Sequence, residues 1–344
     1  MATISDIAKA SGVSKASVSY VLNNRQGSVS AETRERVLQA MRDLNYRPSP
    51  LFMRKHAKKT EVLGVAFTHP SLTMLTDHPY FSLILDGILT ATTAIGWDLI
   101  LFTTSRWSDF HKAMRSKCDG RCDGVILVGL AENTGLVEVF KERGMPFVCV
   151  NMGSDIDGAT TVDVDNEAAA KTMTDHLISL GHRRIAFLAG QLAYPNAVAR
   201  QNGYMTAIAG ANIPFWPDYV PAGGFMYESG YDRAMKLLDL PPGDRPTALF
   251  CASDVIAFGA MAAVKERGLT IPGDITVVGF DDIPGAKTCE PPLTTIKQPL
   301  AELGKSAAEM LLRHIDGVTD MGETIVLPTS MIRRETDTAP KATV

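Results

Sequence analysis

Residues 3–23 of the chain read TISDIAKASGVSKASVSYVLN. Thr3 and Asp6 have the spacing of a capping box at the start of a helix. Small and apolar side chains then recur at helical intervals, at Ile4, Ile7, Ala8 and Ser11. Gly12 favours the left-handed conformation that ends a helix, and Ser14 is a good N-cap for the next one. The stretch therefore predicts two short helices joined by a three-residue turn.

The second predicted helix, 15–22, has one face for a core and one for a partner. Its core face carries Val18, Val21 and Leu22. Its exposed face carries Ala16, Ser19, Tyr20 and Asn23, with Lys15 at the N-terminal tip. A third amphipathic helix, 30–44, is expected to cover the first two with Thr33, Val37, Met41 and Leu44. Three helices with an exposed helix N-terminus are typical of a helix-turn-helix reader of the DNA major groove.

The charge of the chain divides along the same boundary. Residues 1–60 contain eleven Lys and Arg against four Asp and Glu, a net charge of +7, whereas the rest of the chain contains 23 against 34, a net charge of −11. A basic helical segment alone is often only a solvated surface. Together with the caps, the turn glycine and the helical spacing, however, it favours a DNA-binding module joined to an acidic core.

Length and composition limit the remaining possibilities. The 344 residues predict two to three domains, and a hydrophobic content of 45% is typical of a globular chain. No apolar signal segment is recognisable, and no run approaches the roughly 18 apolar residues of a membrane span, so we expect a cytoplasmic protein. The five cysteines are scattered, so we expect reduced thiols and neither a metal site nor another cofactor.

From Val62 onwards, short apolar runs alternate with amphipathic helical patterns, after a basic linker. Continuous apolar strands between helices predict parallel sheets covered on both faces, and two such series predict two doubly wound lobes. We expect the chain to cross between the lobes near residues 160, 290 and 320, with a strand at Ile325–Leu327 in the second lobe. One helix of the first series is predicted near 108–117.

Polar residues follow several of these strands, where ligands bind in open parallel sheets. Asn151, Asp254 and Asp281 follow strands directly, and Arg200 lies near the start of a helix. Amide, carboxylate and guanidinium groups can bind vicinal hydroxyls, while Tyr80, Phe81 and Phe225 can stack on a ring. The combination favours a sugar or another polyhydroxylated ligand. For Asp254, and for Asn166, capping of the following helix is an equally good interpretation.

Motifs of catalysis are missing from the sequence. No G-x-G-x-x-G follows a strand, no G-x-S-x-G or H-E-x-x-H occurs, and Gly304-Lys305-Ser306 lacks the first glycine of a phosphate-binding loop, because Pro299 stands there. We therefore expect no catalytic residues and no enzyme activity. A transport binding protein would share the two lobes but not the basic headpiece.

Several longer motifs resemble the lactose-repressor and purine-repressor (LacI/GalR) family of bacterial transcriptional regulators. In the headpiece they are 13–23, 29–37 and 44–48; in the core they are 181–185, 252–259, 277–282 and 291–298. The resemblance implies a homodimeric repressor with an all-α headpiece and a two-lobed α/β core like that of periplasmic sugar-binding proteins. Its operator affinity would be controlled by an effector bound between the lobes.

The resemblance implies a domain organisation. The headpiece is expected at 1–48, a hinge or linker at 49–60, the effector-binding and dimerisation core at 61–335 and a tail at 336–344. Within the core, lobe 1 is expected at about 61–161 and 291–320, and lobe 2 at about 162–290 and 321–335. The tail lacks leucine heptads, so a dimer is expected, with two heads on a near-palindromic site.

The resemblance also implies which residues read DNA. The base-reading positions of the family fall on Lys15, Ala16 and Tyr20, where Tyr20 replaces a usual arginine. A phenol cannot reproduce the bidentate grip of arginine on guanine, so we expect a different base preference there, unless Tyr20 only packs against the DNA backbone. The expected DNA-binding residues are Thr3, Ser14, Lys15, Ala16, Ser17, Ser19, Tyr20, Asn23, Arg25, Leu51, Met53, Arg54 and Lys55.

The hinge departs from the family pattern. Lys55 stands where relatives carry a leucine that wedges into the minor groove. Either Met53 or Leu51 replaces that wedge in a shifted register, or the DNA is bent less.

In the cleft, the effector positions of the family fall on seven residues, to which the strand-end argument adds Asp254. The expected effector-binding residues are Tyr80, Phe81, Asn151, Asn196, Arg200, Phe225, Asp254 and Asp281. Asn151 stands where many relatives have aspartate. The segment 68–79 is longer than usual and resembles that of repressors answering α-glucosides, while a purine between Tyr80 and Phe81 stays an alternative. Neither the identity of the effector nor the sign of its effect follows from the sequence.

Overall fold

The computed structural model describes residues 2–22, 27–44, 46, 59–67, 78–102, 119–129, 136–153, 156 and 158–341. Its N-terminal unit consists of three helices, namely α1 (Ile4–Ser11), α2 (Lys15–Leu22) and α3 (Ala31–Asp43). Thr3 and Asp6 form the predicted capping box, and Gly12 has the left-handed conformation (φ 66°) that ends α1. The predicted helix-turn-helix is confirmed.

The three helices enclose a small apolar core. Its buried members are Ile7, Ala8, Val18, Val21, Val37 and Ala40. The buried face of α3 differs from the predicted one at its C-terminal end. Ala40 is buried, whereas Leu44, which was predicted to face the core, is 40% exposed at the C-terminal cap. Helix α3 ends at Asp43, before Leu44 can turn towards the core. The spacing of apolar residues in the sequence therefore predicts a longer helix than the structure contains.

The first lobe is a six-stranded sheet whose described pairs are all parallel, in the order β10-β5-β4-β3-β1-β2. Its strands are β1 (Val62–Phe67), β2 (Asp98–Phe102), β3 (Gly124–Val128), β4 (Phe147–Val150), β5 (Thr160–Val164) and β10 (Thr324–Leu327). Its described helices are α4 (Pro79–Thr93), α5 (Leu136–Arg143) and α11 (Leu300–Ile315). The helix predicted near 108–117 lies outside the described residues.

The second lobe is a five-stranded sheet in the order β11-β9-β8-β7-β6, with β11 antiparallel to β9 and the other pairs parallel. Its strands are β6 (Ile185–Leu188), β7 (Ala248–Cys251), β8 (Thr276–Asp281), β9 (Thr294–Lys297) and β11 (Ser330–Ile332). Its helices are α6 (Asn166–Ser179), α7 (Pro195–Gly210), α8 (Tyr227–Leu238), α9 (Asp254–Glu266) and α10 (Pro284–Thr288). The two predicted α/β lobes are confirmed.

The chain crosses between the lobes at other places than predicted. The crossings lie at 164–166, 297–300 and 327–330, because β5 and β10 belong to the first sheet and β9 to the second. The assignment of Ile325–Leu327 to the second lobe was wrong, since Ile325 pairs with Val162 of β5. The assignment of 291–297 to the first lobe was also wrong. A short apolar run shows that a strand exists but not which of two similar sheets it joins.

The predicted tail at 336–344 begins inside the second lobe. Thr336 is fully buried; its hydroxyl accepts a hydrogen bond from the backbone N–H of Thr294 and its carbonyl accepts one from Val277. The carboxylate of Asp337 accepts hydrogen bonds from Thr294 Oγ1 and pairs with His176 Nε2 at 2.8 Å. These polar contacts hold 336–338 against the sheet, and hydrophobic patterning does not reveal them.

Two helices on the outside of the second lobe approach unusually closely. A Cβ on Gly203 of α7 would lie 2.2 Å from the carbonyl oxygen of Glu167 in α6. Only glycine permits this approach, which fixes α7 against α6. Because α7 carries Arg200, the contact also fixes the depth at which Arg200 enters the region between the lobes.

Candidate functional site

The headpiece presents the N-terminal end of α2. Ser14 Oγ accepts the backbone N–H of Ser17 at 3.1 Å and lies 2.9 Å from Ser17 Oγ, so both hydroxyls take part in the cap. Lys15 and Ala16 are exposed, and Tyr20, one turn further on, is 36% exposed. A helix end with exposed side chains of this kind can enter the major groove of DNA.

Other predicted DNA contacts have local roles or cannot be placed. The Thr3 hydroxyl bonds to Asp6 Oδ2 at 2.8 Å, and hydrogen bonds from Thr3 lower the pKa of Asp6. Thr3 therefore serves α1 as a cap. Ser19 is half-buried beside Tyr20. The predicted contacts that lie outside the described residues are Asn23, Arg25, Leu51, Met53, Arg54 and Lys55.

A cleft of about 360 Å³ lies between the lobes at the carboxyl ends of their strands. It receives side chains from the start of α4 in the first lobe and from β8, α7 and the start of α8 in the second. Six of the eight predicted effector residues line it: Tyr80, Phe81, Asn196, Arg200, Phe225 and Asp281. The structure therefore brings together residues that are 201 positions apart in the sequence.

Aromatic rings form much of the wall of the cleft. Tyr80 and Phe81 lie 5.1 Å apart with their planes at 87°, and Tyr194 and Phe225 lie 6.1 Å apart at 71°. Gly129 lets Phe81 come close, because a Cβ there would lie 3.3 Å from the ring. Edge-to-face pairs are a favourable aromatic arrangement. They leave no parallel slot between Tyr80 and Phe81 in which a base could be sandwiched.

Arg200 forms the floor of the cleft and is only 1% exposed. Its Nε donates to Asn166 Oδ1 at 2.8 Å and its Nη1 donates to the carbonyl of Ala252 at 2.6 Å. The guanidinium lies 3.8 Å above the ring of Phe280. A buried cation fixed by hydrogen bonds and an aromatic face keeps one orientation.

Asp281 faces Arg200 across 3.6 Å and is buried as well. Gln298 Nε2 donates to Asp281 Oδ1 at 2.7 Å. Burial raises the pKa of Asp281 to about 6, although Arg200 and Gln298 act in the opposite direction. Its backbone φ of 126° is unusual for a residue other than glycine. Such strain is stored where a side chain has to be aimed, as at a ligand site.

Three side chains of the cleft carry buried polar atoms that have no hydrogen-bond partner among the described residues. They are Tyr80 Oη, Asn196 Oδ1 and Arg200 Nη2. A donor or acceptor buried without a partner costs free energy, and native proteins contain few of them. Because these three line one cavity and include a donor and an acceptor, a polar ligand would satisfy them together.

The two remaining predicted effector residues do not line the cleft. Asp254 Oδ1 accepts from Thr295 Oγ1 at 2.6 Å and Oδ2 accepts from the backbone N–H of Ile283 at 2.9 Å, so it links α9 to β9 and the β8–α10 turn. Burial, with the charge of Asp281, raises its pKa well above the usual range. The cap of α9 is Ser253 instead. Both carboxylate oxygens of Asp254 already accept hydrogen bonds from the protein, and its contact with a ligand stays a prediction.

Asn151 follows β4 as predicted and is buried, but it is not among the residues that line the cleft. Its φ is 55°, and neither polar atom of its amide has a partner within the described part of the chain. Asn166, for which contact and capping were alternatives, is not the cap of α6, which is Asp165, and does not line the cleft. It accepts a hydrogen bond from Arg200 and donates one to Asp163.

The cleft also contains residues that the sequence argument missed. They include the half-buried His78, the buried Tyr194, and the exposed Tyr227 and Glu228 at the start of α8. Helix α8 follows an irregular segment instead of a strand, so the strand-end rule does not point to it. The longer segment at 68–79 is described only from His78 onwards.

The described residues contain neither a membrane-spanning helix nor a cluster of metal ligands. None of their helices is long and apolar enough to cross a membrane. Nor do they contain a group of three or more His, Cys, Asp and Glu side chains suited to a metal ion.

Two parts of the chain match models of known protein families. Residues 3–49 match the family model of bacterial regulatory proteins of the lacI family, and residues 174–336 match a periplasmic binding protein-like domain. The HTH-type transcriptional repressor PurR of Erwinia tasmaniensis is 34% identical over 344 residues, covering 99% of this chain and 98% of that protein.

Two solved structures cover almost the whole chain. The complex of the transcriptional regulator CelR with cellobiose has a TM-score of 0.76 at 30% identity and covers 98% of this chain and 100% of its own. The lac repressor dimer bound to operator and the anti-inducer ONPF has a TM-score of 0.74 at 29% identity, covering 98% and 99%. The family is one of regulators without enzyme activity. The chain therefore belongs to the lacI family of bacterial regulatory proteins and is a DNA-binding transcriptional regulator with an effector-binding core.

Proposed function

We propose that this protein is a cytoplasmic homodimeric repressor whose affinity for a near-palindromic operator is controlled by an uncharged sugar bound in the interlobe cleft. The exposed tip of α2, with Lys15, Ala16 and Tyr20, would read bases in the major groove. Two heads on one duplex match the two-fold symmetry expected of a dimeric repressor.

One observation carries the assignment of the effector site. The buried, unpartnered atoms Tyr80 Oη, Asn196 Oδ1 and Arg200 Nη2 share a cavity with the buried carboxylate of Asp281. Vicinal hydroxyls both donate and accept hydrogen bonds, so one sugar ring can satisfy all four groups, while the aromatic wall packs against its C–H face. A site made of apolar walls and a few convergent polar groups is typical of small-molecule sites.

The names of the relatives point to different effectors. The PurR relatives are HTH-type transcriptional repressors, whereas the CelR structure contains cellobiose. A purine is the second candidate because the cleft is rich in aromatic rings. The perpendicular arrangement of Tyr80 and Phe81 argues against stacking a base between these two rings. The polar groups of Arg200 and Asp281 at the floor of the cleft favour a sugar. Among sugars, an α-glucoside is favoured because segment 68–79 resembles that of repressors answering α-glucosides.

The test is operator binding by the full-length protein with and without candidate effectors. Fluorescence anisotropy on the upstream intergenic DNA would be measured with maltose, cellobiose, glucose, adenine and guanine. We expect strongly salt-dependent binding and a change of about 5- to 150-fold in the operator Kd with one of the sugars. Arg200→Gln should abolish that change, while Gln201→Asn, its neighbour on α7 outside the cleft, should keep it. A response to a purine but to no sugar would refute the sugar assignment.

A further inference from the structure

The floor of the cleft belongs to a chain of five buried side chains that joins two of the three interlobe crossings. Its members, called here the crossover network, are Asp163, Asn166, Arg200, Asp281 and Gln298. All five are at most 5% exposed. Only Arg200 and Asp281 line the cleft. Contact with a ligand therefore does not explain why the other three polar side chains are buried.

The network begins in the first lobe, at the end of β5. Asp163 Oδ1 accepts a hydrogen bond from Asn166 Nδ2 at 3.0 Å, across the crossing at 164–166. The same carboxylate accepts the backbone N–H groups of Val164 at 2.7 Å and Gly153 at 2.9 Å, and therefore ties the crossing to the segment that follows β4. Asn166 Oδ1 in turn accepts from Arg200 Nε at 2.8 Å.

The network continues through the cleft to the second crossing. Arg200 Nη1 lies 3.6 Å from Asp281 Oδ1, and this same oxygen accepts Gln298 Nε2 at 2.7 Å. Gln298 lies within the crossing at 297–300, between β9 of the second lobe and α11 of the first. Its backbone N–H also donates to the carbonyl of Asp281 at 3.2 Å. Hydrogen bonds and the Arg200–Asp281 ion pair together therefore connect one crossing to the other.

We propose that Asn166 and Gln298 are positioning residues that couple occupancy of the cleft to the two crossings, so that a ligand on Arg200 and Asp281 shifts the balance between lobe arrangements. A ligand can shift such a balance only through contacts that differ between the two states. Arg200 Nη2, buried and without a partner within the described ranges, is the group that a ligand would engage. A ligand that displaces this guanidinium alters its hydrogen bond to Asn166 on one side and its ion pair with Asp281 on the other.

The chemistry of Asn166 and Gln298 suits this role. Each side chain is an amide, and Asn166 donates to a carboxylate with one end and accepts from a guanidinium with the other. A carboxylate at 166 would oppose Asp163, and an apolar side chain would leave Arg200 Nε unpaired. Gln298 Oε1 has no partner among the described residues, which leaves it able to bond differently when the crossing moves.

The first test needs no effector. Hydrogen–deuterium exchange of the full-length protein would be compared for the wild type, Asn166→Ala and Gln298→Ala. We expect Asn166→Ala to speed exchange about tenfold at 294–300, the distant crossing, and Gln298→Ala to do so at 160–166. Exchange in the core strands β3 and β7 should stay unchanged, which separates the effect from general unfolding.

Gln201→Ala is the matched control. Gln201 is an amide on α7 beside Arg200 in sequence, but it lines a different cavity on the second lobe. It should alter exchange at neither crossing. If each network variant affects only its own crossing, or if Gln201→Ala has the same effect, the network does not couple the crossings.

The second test rests on the proposed function. With a sugar that shifts the operator Kd of the wild type, Asn166→Ala and Gln298→Ala should reduce that shift to less than about twofold at saturating sugar, with operator affinity in its absence kept within about threefold. A full shift in both variants would refute the coupling. If no compound shifts the wild type, the proposed effector is wrong, while the exchange experiment still decides on the network.

Discussion

Replacing Arg200 by methionine tests the energetics of the cleft floor. The methionine keeps an apolar stem over Phe280 but loses the hydrogen bonds to Asn166 and Ala252 and the pair with Asp281 at 3.6 Å. At an effective dielectric constant of about 20, unit charges at this separation interact by about 5 kcal/mol. Removing one partner of a buried pair costs about 3–5 kcal/mol. We expect Arg200→Met to lower the free energy of unfolding by that amount at pH 8.

The loss should depend on pH in a definite direction. Burial raises the pKa of Asp281 to about 6, so the folded protein holds its proton more tightly than the unfolded chain does. The stability that this group contributes is complete below its unfolded pKa and declines as the pH rises through about 6. Without Arg200, the ionised carboxylate becomes still less favourable. At pH 5 Asp281 is mostly protonated in both proteins, which leaves the lost hydrogen bonds, about 1–3 kcal/mol.

The assay is urea unfolding of the full-length protein followed by circular dichroism at pH 5 and pH 8. A double variant, Arg200→Met with Asp281→Asn, supplies the control, because it removes both charges and should recover part of the loss at pH 8. A loss below about 1 kcal/mol at pH 8, or an equal loss at both pH values, would contradict the view that Arg200 compensates a buried carboxylate.

Three further outcomes are expected. Tyr20→Arg should change the base selected at one position of each operator half-site by about 1–3 kcal/mol, and an unaltered selection profile would show that Tyr20 reads no base. In the hinge, either Met53→Ala or Leu51→Ala should reduce the operator bend measured by fluorescence energy transfer; no change with either variant would remove both residues as wedges. Gly203→Ala should lower the free energy of unfolding by about 1–3 kcal/mol, because its Cβ would meet the carbonyl oxygen of Glu167 at 2.2 Å; a variant with wild-type stability in urea would show that α6 and α7 can separate without loss.

The sequence predicts local structure well where a short-range rule governs it. The capping box of Thr3 and the left-handed Gly12 follow from side-chain chemistry alone, and both are present. The apolar runs that become β3 and β7 are fully buried in parallel sheets, as their continuity indicates. Sheet membership is different, because β10 is compatible with either lobe until its partner is known.

The candidate site is predictable in part for the same reason. Asp281 follows a strand, where the parallel-sheet rule places ligands, and it lines the cleft. Asp254 satisfies the same rule but is turned towards Thr295 and Ile283, because helix α9 starts at that residue. Tyr227 and Glu228 enter the cleft from an irregular segment, and no short-range pattern places them there. Which polar group faces the cavity is decided by packing between distant segments.

The interleaved strands have a consequence for synthesis on the ribosome. The first sheet receives its edge strand from residues 324–327 and the second receives its last strand from residues 330–332, so neither lobe has its full set of described strands until translation is nearly finished. The headpiece has its whole described core within residues 4–46. Because domains fold as they emerge, the nascent protein acquires its DNA-reading unit about 280 residues before either lobe is complete. A chain cut short by a premature stop codon would therefore carry the DNA-reading helices without the cleft that regulates them.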